Sequence, residues 1–276
     1  MARSGLAHAV MVHALLALGT AVAVLPILYA LQISTLGFQD VFVFPPRIMP
    51  GGAFLDNLTR AWEKVGLGRL LANSLAISLA VALGKIVLSV MAAFAFTYFG
   101  RFRGKGFFFV LILITHMLPL PVRIVPSYQL MQSFDWINSY QALTVPFFAS
   151  ATGTLLFRQF FLTMPPGLSE AARIDGAGPL RFLFRILLPL SANNLAALFM
   201  VEFLYMWNEY LWPLIITNSD DMRVIQVGIK MLVATDAQAE WNVIMAGVVV
   251  AMLPPLAVLV LLQRSFVRSI SLGQEK

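Results

Sequence analysis

The sequence predicts an all-α, polytopic membrane protein with six transmembrane helices, and three observations carry that reading. Charged residues make up only 12% of the chain, about half the roughly 25% found in soluble domains. Hydrophobic residues make up 59%, and the mean hydropathy is +0.83, more apolar surface than a soluble core of this size would hide. The apolar residues also gather into runs, near 6–31, 70–98, 107–130, 143–161, 186–217 and 241–262. Each approaches or exceeds the roughly 20 residues that cross a bilayer as a helix.

The first run is longer than the roughly 7 to 15 residue apolar core of a cleaved signal peptide, so it is read as a retained helix. The second and third are joined by a connector at 100–106 that holds Arg101, Arg103 and Lys105 and no acid. A basic excess in a short loop marks the cytoplasmic side. The fourth run leads into a polar stretch with Arg158, Arg173, Arg181 and Arg185, which belongs to the same side. Counting from these connectors puts both termini in the cytoplasm, with Arg264, Arg268 and Lys276. Loops near 33–69, 132–141 and 218–240 then face outward, where Asp40, Asp56, Glu63, Asp220, Asp221, Asp236 and Glu240 offset their bases. Residues 1–276 are treated as a single transmembrane domain, with a cytoplasmic elbow at 163–185 and a tail at 263–276. The net charge of +6 does not point to nucleic acid, because the bases flank apolar runs instead of forming a patch. Membrane lipid is the expected surrounding.

The most informative segment lies between the fourth and fifth runs. It reads Glu170-Ala171-Ala172-Arg173-Ile174-Asp175-Gly176, with Ile186-Leu187-Leu188-Pro189 further on. Pro165 and Pro166 suit a helix start, where the missing amide proton has no intrahelical partner. Ala171 and Ala172 are strong helix formers whose small side chains allow close approach. Gly176 suits the position just past a helix end, because glycine takes the left-handed conformation cheaply. Pro179 then starts a second short helix carrying Arg181 and Arg185. The result is a bent, charged elbow.

The frame at 170–189 resembles the loop of ABC importer permeases in which a glutamate, two alanines, a glycine and a distal Ile-x-Leu-Pro recur at this spacing. Asn73-Ser74, the Trp207-Asn208-Glu209-Tyr210-Leu211-Trp212-Pro213 segment and Gln263-Arg264 extend the resemblance over nearly the whole chain, to permeases of the carbohydrate-uptake class. Within it, the segment 150–161 and the residues Leu118-Pro119 to Val122-Arg123-Ile124 are similar to permeases that import sn-glycerol-3-phosphate. The resemblance implies the type I ABC importer permease fold, six transmembrane helices with cytoplasmic coupling helices, in a bacterial inner or plasma membrane. It implies ATP-driven import by alternating access, of sn-glycerol-3-phosphate or a related glycerophosphodiester, or alternatively of a sugar or oligosaccharide. The implied partners are a second permease subunit, two ATPase subunits docking on 163–185, and a soluble extracytoplasmic substrate-binding protein. ATP and Mg are expected on the ATPase subunits, with no cofactor and no enzymatic activity in this chain. Glu170, Ala171, Ala172, Asp175, Gly176 and Arg181 are the expected coupling residues, and the tail at 271–276 is expected to reach toward the ATPase interface.

Candidates for the substrate pathway are Lys85, Arg123, Glu202, Trp207, Asn208, Glu209 and Trp212. Lys85 lies roughly 24 Å up from Arg101, and Arg123 roughly 25 Å up from Gly106, at 1.5 Å per helical residue. The two bases should therefore share a height and form a cationic position suited to phosphate. Glu202, roughly 20 Å above Pro189 by the same count, is the competing partner for Lys85. The Trp207 to Pro213 segment falls roughly 27 to 36 Å from Pro189 along a continuous helix, near the outer surface. There its aromatic residues serve either as interfacial anchors or beside a gate or binding-protein contact made by Asn208 and Glu209.

Other chemistries find little support. There is no cysteine, and His8, His13 and His116 lack zinc-ligand spacing. No phosphate-binding Gly-x-x-x-x-Gly-Lys-Ser/Thr loop, Gly-x-Ser-x-Gly or His-Glu-x-x-His occurs. The sequon Asn57-Leu58-Thr59 is assigned no role. A proton- or ion-coupled secondary transporter is the rival of another class, since Lys85, Arg123 and Glu202 are ionisable groups within apolar runs; the intact elbow argues against it.

Overall fold

Three of the six apolar runs form unbroken helices in the computed structural model, which describes residues 2–100, 102–234 and 239–271. Arg101, Asp236 and the tail at 272–276 lie outside the described residues, as do the side chains of His116 and Arg268. Among the described residues, His8–Ser34, Leu67–Tyr98 and Trp241–Val267 are long and apolar enough to cross a membrane. A fourth crossing exists if Pro179–Leu190 and Ala192–Trp207, bent by 78°, count as one span. The expectation of six continuous helical spans is corrected accordingly.

The chain forms two compact units, one from residues up to Gly68 plus Gly228–Leu253, the other from Arg69–Val227 and the chain from Pro254 onward. In the first unit, α1 (Ala2–Ser34) leaves most of its apolar surface uncovered, Leu15, Leu16 and Leu18 each being more than 60% exposed. His13 spends its Nδ1 on the carbonyl of Ala9, one turn back on α1. A loop folds back on the end of α1, where the amides of Gly51 and Ala53 donate to the hydroxyl and carbonyl of Thr35. α2 (Phe54–Val65) follows and ends at Gly66, in the left-handed conformation with φ 63°. Asn57 on α2 is buried. Its Nδ2 donates to the carbonyls of Ser34 and Leu36 at 2.9 and 2.8 Å, and its Oδ1 accepts from Asn242 at 2.7 Å. The asparagine of the sequon is thus a hub for backbone groups exposed where α1 ends. Arg60 and Lys64, one and two turns further along α2, pair with Glu240. Burial works to raise the pKa of Glu240, but the hydrogen bonds and charges of Lys64 and Arg60 outweigh it and hold the carboxyl below the ordinary glutamate range.

In the second unit, most of α3 (Leu67–Tyr98) packs its small and branched residues, among them Ile77, Val81, Ala82 and Ala93, into the core. The run at 107–130 divides into α4 (Lys105–Met117) and α5 (Leu120–Ser133). Leu118 is extended (φ −78°, ψ 115°) because the ring of Pro119 clashes with a helical backbone at the residue before it. The run at 143–161 divides into α6 (Tyr140–Thr144), a 3₁₀ turn holding Pro146, and α7 (Ala151–Leu162). Ser150 caps α7 by accepting from the amide of Gly153 at 3.0 Å. After α8 (Pro166–Ile174) come α9 (Pro179–Phe182), a π turn over Leu183–Leu187, and the short α10 (Leu188–Leu190). Pro189 has no amide proton for the helical ladder, and the Ser191 hydroxyl bonds back to the carbonyl of Leu187 at 2.6 Å. Both loosen the helix where the 78° bend occurs. α11 (Ala192–Trp207) and α12 (Leu211–Ile216) complete the fifth run. α13 (Ile225–Ala234) and α14 (Trp241–Ser271) close the chain.

One end of the second unit is held by a polar mesh. Asn73 donates to the carbonyls of Asp221 and Arg223 and accepts from Tyr140, while Ser74 accepts from the amide of Ile225 at 2.7 Å. Asn138, at φ 58°, meets Ser219 at 2.9 Å.

Candidate functional site

The elbow is built as its residues suggest. Pro165 is extended (φ −58°, ψ 132°), Pro166 opens α8, and Gly176 sits at φ 72°. The amides of Gly176 and Ala177 return to the carbonyls of Arg173 and Ala172 at 3.0 and 2.8 Å, the paired bonds of a Schellman end. A Cβ on Gly176 would meet nothing within 4 Å. The glycine is needed for its backbone angle and not for space.

The two alanines have different surroundings. Ala172 is buried in a cluster with Phe94, Phe161, Phe182 and Leu187, so its small side chain lets the elbow pack onto its own unit. Ala171 is exposed, as are Glu170, Asp175, Gly176 and Arg181. Arg173 lies over the ring of Tyr98 at 4.9 Å, with its Nε donating to the Tyr98 hydroxyl at 3.3 Å. The elbow is therefore clamped to the end of α3. Its uncovered surface mixes these charges with Ile174, 86% exposed, and Leu180, 63% exposed. Exposed apolar residues accompanied by charges of both signs suit a docking surface.

Lys85, Arg123 and Glu202 come together around a cavity of about 560 Å³. Lys85 Nζ lies 2.6 Å from Glu202 Oε2, and both side chains are 8% exposed. Ser150 donates to Glu202 Oε1 at 2.8 Å, and the Lys85 ammonium sits 4.7 Å from the centre of the Tyr205 ring. The competing arrangement named from sequence, a Lys85–Glu202 pair, is thus the one observed. Arg123, on the first turns of α5, lines the same cavity, and its Nε is buried without a hydrogen-bond partner. The heights counted from Gly106 and Pro189 assumed straight helices; breaks at Leu118-Pro119 and Ser191 remove that assumption while leaving the grouping intact.

The segment 207–213 is a packed corner. α11 ends at Trp207, so the continuous count from Pro189 does not hold here either. Trp207 is 2% exposed and stacks on Phe203, while Trp212 is 1% exposed and donates its indole N–H to the carbonyl of Ala142 at 2.9 Å. Asn208 bonds to the carbonyl of Leu204 at 2.8 Å, and Glu209 accepts from the amide of Trp212 at 3.2 Å. These polar residues close one helix and open the next. Sequence reasoning missed the roles of Ser150 and Tyr205 in the cavity. The N-cap pattern of a serine before an apolar run would have marked Ser150 as a helix start, but not its place against Glu202.

A chain with helices long and apolar enough to span a membrane, an exposed charged elbow and a polar cavity has the parts of a transport permease. A family model described as "Binding-protein-dependent transport system inner membrane component" matches residues 56–272. The chain belongs to that family. It is 46% identical over 95% of both chains to the sn-glycerol-3-phosphate transport system permease protein UgpE of Agrobacterium fabrum. It is 45% identical over 94% of both to its counterpart in Rhizobium meliloti. A bacterial ABC transporter involved in import of the acidic polysaccharide alginate shares the fold, with a TM-score of 0.83 over 96% of this chain and 98% of that one, at 21% identity. By family, the chain is a permease component, not an enzyme, and ATP and Mg belong to a separate ATPase.

Proposed function

We propose that this chain forms one half of the pore of an ATP-driven importer that carries sn-glycerol-3-phosphate or a related glycerophosphodiester into the cytoplasm. The observation that carries the reading is identity of 43–46% over about 95% of the chain with curated permeases of that transport system. The two compact units act as one permease domain. The bilayer is crossed six times, three times by the broken runs at 107–130, 143–161 and 186–217, and both termini are cytoplasmic. A second permease subunit completes the pore, a soluble binding protein delivers cargo from outside, and two ATPase subunits dock on the elbow. Glu170, Ala171, Asp175 and Arg181 meet the ATPases, Ala172 and Gly176 hold the elbow in shape, and its clamp onto α3 carries movement to the helices. The buried Lys85–Glu202 pair leaves neither group free to relay protons, which favours ATP over an ion gradient as the energy source.

The test is uptake of labelled sn-glycerol-3-phosphate by cells carrying the complete transporter. Uptake should continue in the presence of a proton uncoupler and stop when ATP is depleted. Uptake that follows the proton gradient would overturn the ATP-driven reading, and uptake of sugars alone would overturn the cargo.

A further inference from the structure

The cavity of the second unit holds an unbalanced charge. Three charged residues line it, Lys85, Arg123 and Glu202. Lys85 and Glu202 cancel each other at 2.6 Å, and Glu202 is held further by Ser150. Arg123 has no such partner: among the described residues no carboxylate pairs with it, and its Nε–H is buried and unbonded. A guanidinium stays protonated and presents five donors in a planar fork, so a buried unbonded N–H is a costly feature that calls for an acceptor.

The surroundings indicate what acceptor fits. α5 begins next to the cavity because Pro119 breaks the preceding helix, which sets Arg123 one turn inside a discontinuous span. In secondary transporters, charged cargo is held at helices broken in this way. α7 also starts at the cavity wall, Ser150 and Ala151 being part of the lining, so the positive end of a twelve-residue helix adds to the field. The volume of about 560 Å³ lies within the roughly 300–1,000 Å³ of small-molecule sites. Hydroxyls of Ser89, Ser150 and Tyr205 line it beside apolar Leu88 and Val201. The combination is one excess positive charge, a bidentate donor and a few hydroxyls in a wall that is otherwise mainly apolar. It suits an organic phosphate ester with a short polyol, and it suits a neutral sugar poorly, because that would leave Arg123 uncompensated.

We propose that Arg123 receives the phosphate group of an organic phosphate ester passing through this subunit, with the Lys85–Glu202 pair as the neutral wall of the site. The proposal rests on the phosphate-ester reading above and adds that this chain itself touches the cargo. Charge attraction scales with the charge on the ligand, so a phosphomonoester, a dianion above its second pKa near 6, should depend on Arg123 more than a phosphodiester monoanion does. The experiment measures uptake of sn-glycerol-3-phosphate and of a glycerophosphodiester by the whole reconstituted transporter, wild type, Arg123→Gln and Arg123→Lys, with assembly checked by co-purification of all subunits. Loss of one charge-assisted contact lowers uptake by roughly ten- to a hundredfold. Arg123→Gln should show that loss for the monoester, a smaller loss for the diester, and partial recovery in Arg123→Lys. Unchanged uptake overturns the proposal. Equal losses of both esters, with Arg123→Lys no better, also overturn it, marking a structural contact or a bound lipid headgroup. A wild-type complex that carries neither ester removes the underlying cargo reading instead, a result recognisable without any variant.

Discussion

At the residue scale, the buried pair of Lys85 and Glu202 makes a sharp claim about what each charge is for. Breaking a buried pair by removing one partner typically costs about 3–5 kcal/mol, whereas replacing both with apolar residues of similar volume is often neutral. Lys85→Met alone strands Glu202 with only the Ser150 hydroxyl, and Glu202→Met alone strands the lysine over the Tyr205 ring. Each single change should lower the thermal unfolding midpoint of the purified complex and its yield in the membrane. The double change Lys85→Met with Glu202→Met should restore both. A double variant as damaged as the sum of the two singles would show that the groups act independently. The pairing was half legible in sequence, since charges in apolar runs need partners and few exist. What sequence could not provide was Ser150, whose place depends on the break at Pro146 that aims the start of α7 at Glu202.

At the scale of the element, the elbow was the most readable part of the chain because its geometry is local. Proline at the start, alanines within and glycine at the end each act through backbone angles that do not depend on distant packing, and Gly176 at φ 72° follows. The inward turn of Ala172 was not readable, because it depends on Phe94, Phe161 and Phe182 arriving from other elements. The spans were less readable for the opposite reason. Hydropathy averages over about 20 residues and passes over single prolines, so 107–130 reads as one helix although Pro119 is visible in it. The elbow yields a direct prediction. Gly176→Val forces a branched residue into the left-handed region at roughly 1–2 kcal/mol, enough to deform a docking surface without unfolding the chain. Glu170→Ala removes an exposed charge from that surface. Both variants should insert normally, while ATP hydrolysis stimulated by the loaded binding protein falls severalfold. Normal stimulation in both would show that force does not pass through these residues.

At the scale of the whole molecule, the six crossings proposed for a chain with only three unbroken long apolar helices among its described residues require the interrupted runs to cross as well. An interrupted span is tolerated where the freed backbone groups are buried in protein or line a wet cavity, and the breaks at Leu118-Pro119 and Pro146 both border the cavity of the second unit. The two ends of each broken run should therefore lie on opposite sides. The chain has no cysteine, so single substitutions report one site at a time. Gly52, Gly106 and Gly178 accept a Cβ with nothing within 4 Å, and Phe134 and Asn218 are exposed. A membrane-impermeant maleimide should label Gly52→Cys, Phe134→Cys and Asn218→Cys in right-side-out vesicles. Gly106→Cys and Gly178→Cys should label only in inside-out vesicles. The pair Gly106 and Phe134 tests whether α4 and α5 together cross, and the pair Gly178 and Asn218 tests the bent run through Ser191. With Phe134 outside and Gly178 inside, the run through Pro146 must cross between them. Labelling of Gly106→Cys and Phe134→Cys from the same side would make α4 and α5 a re-entrant loop, reduce the number of crossings, and place Arg123 near the surface from which that loop enters.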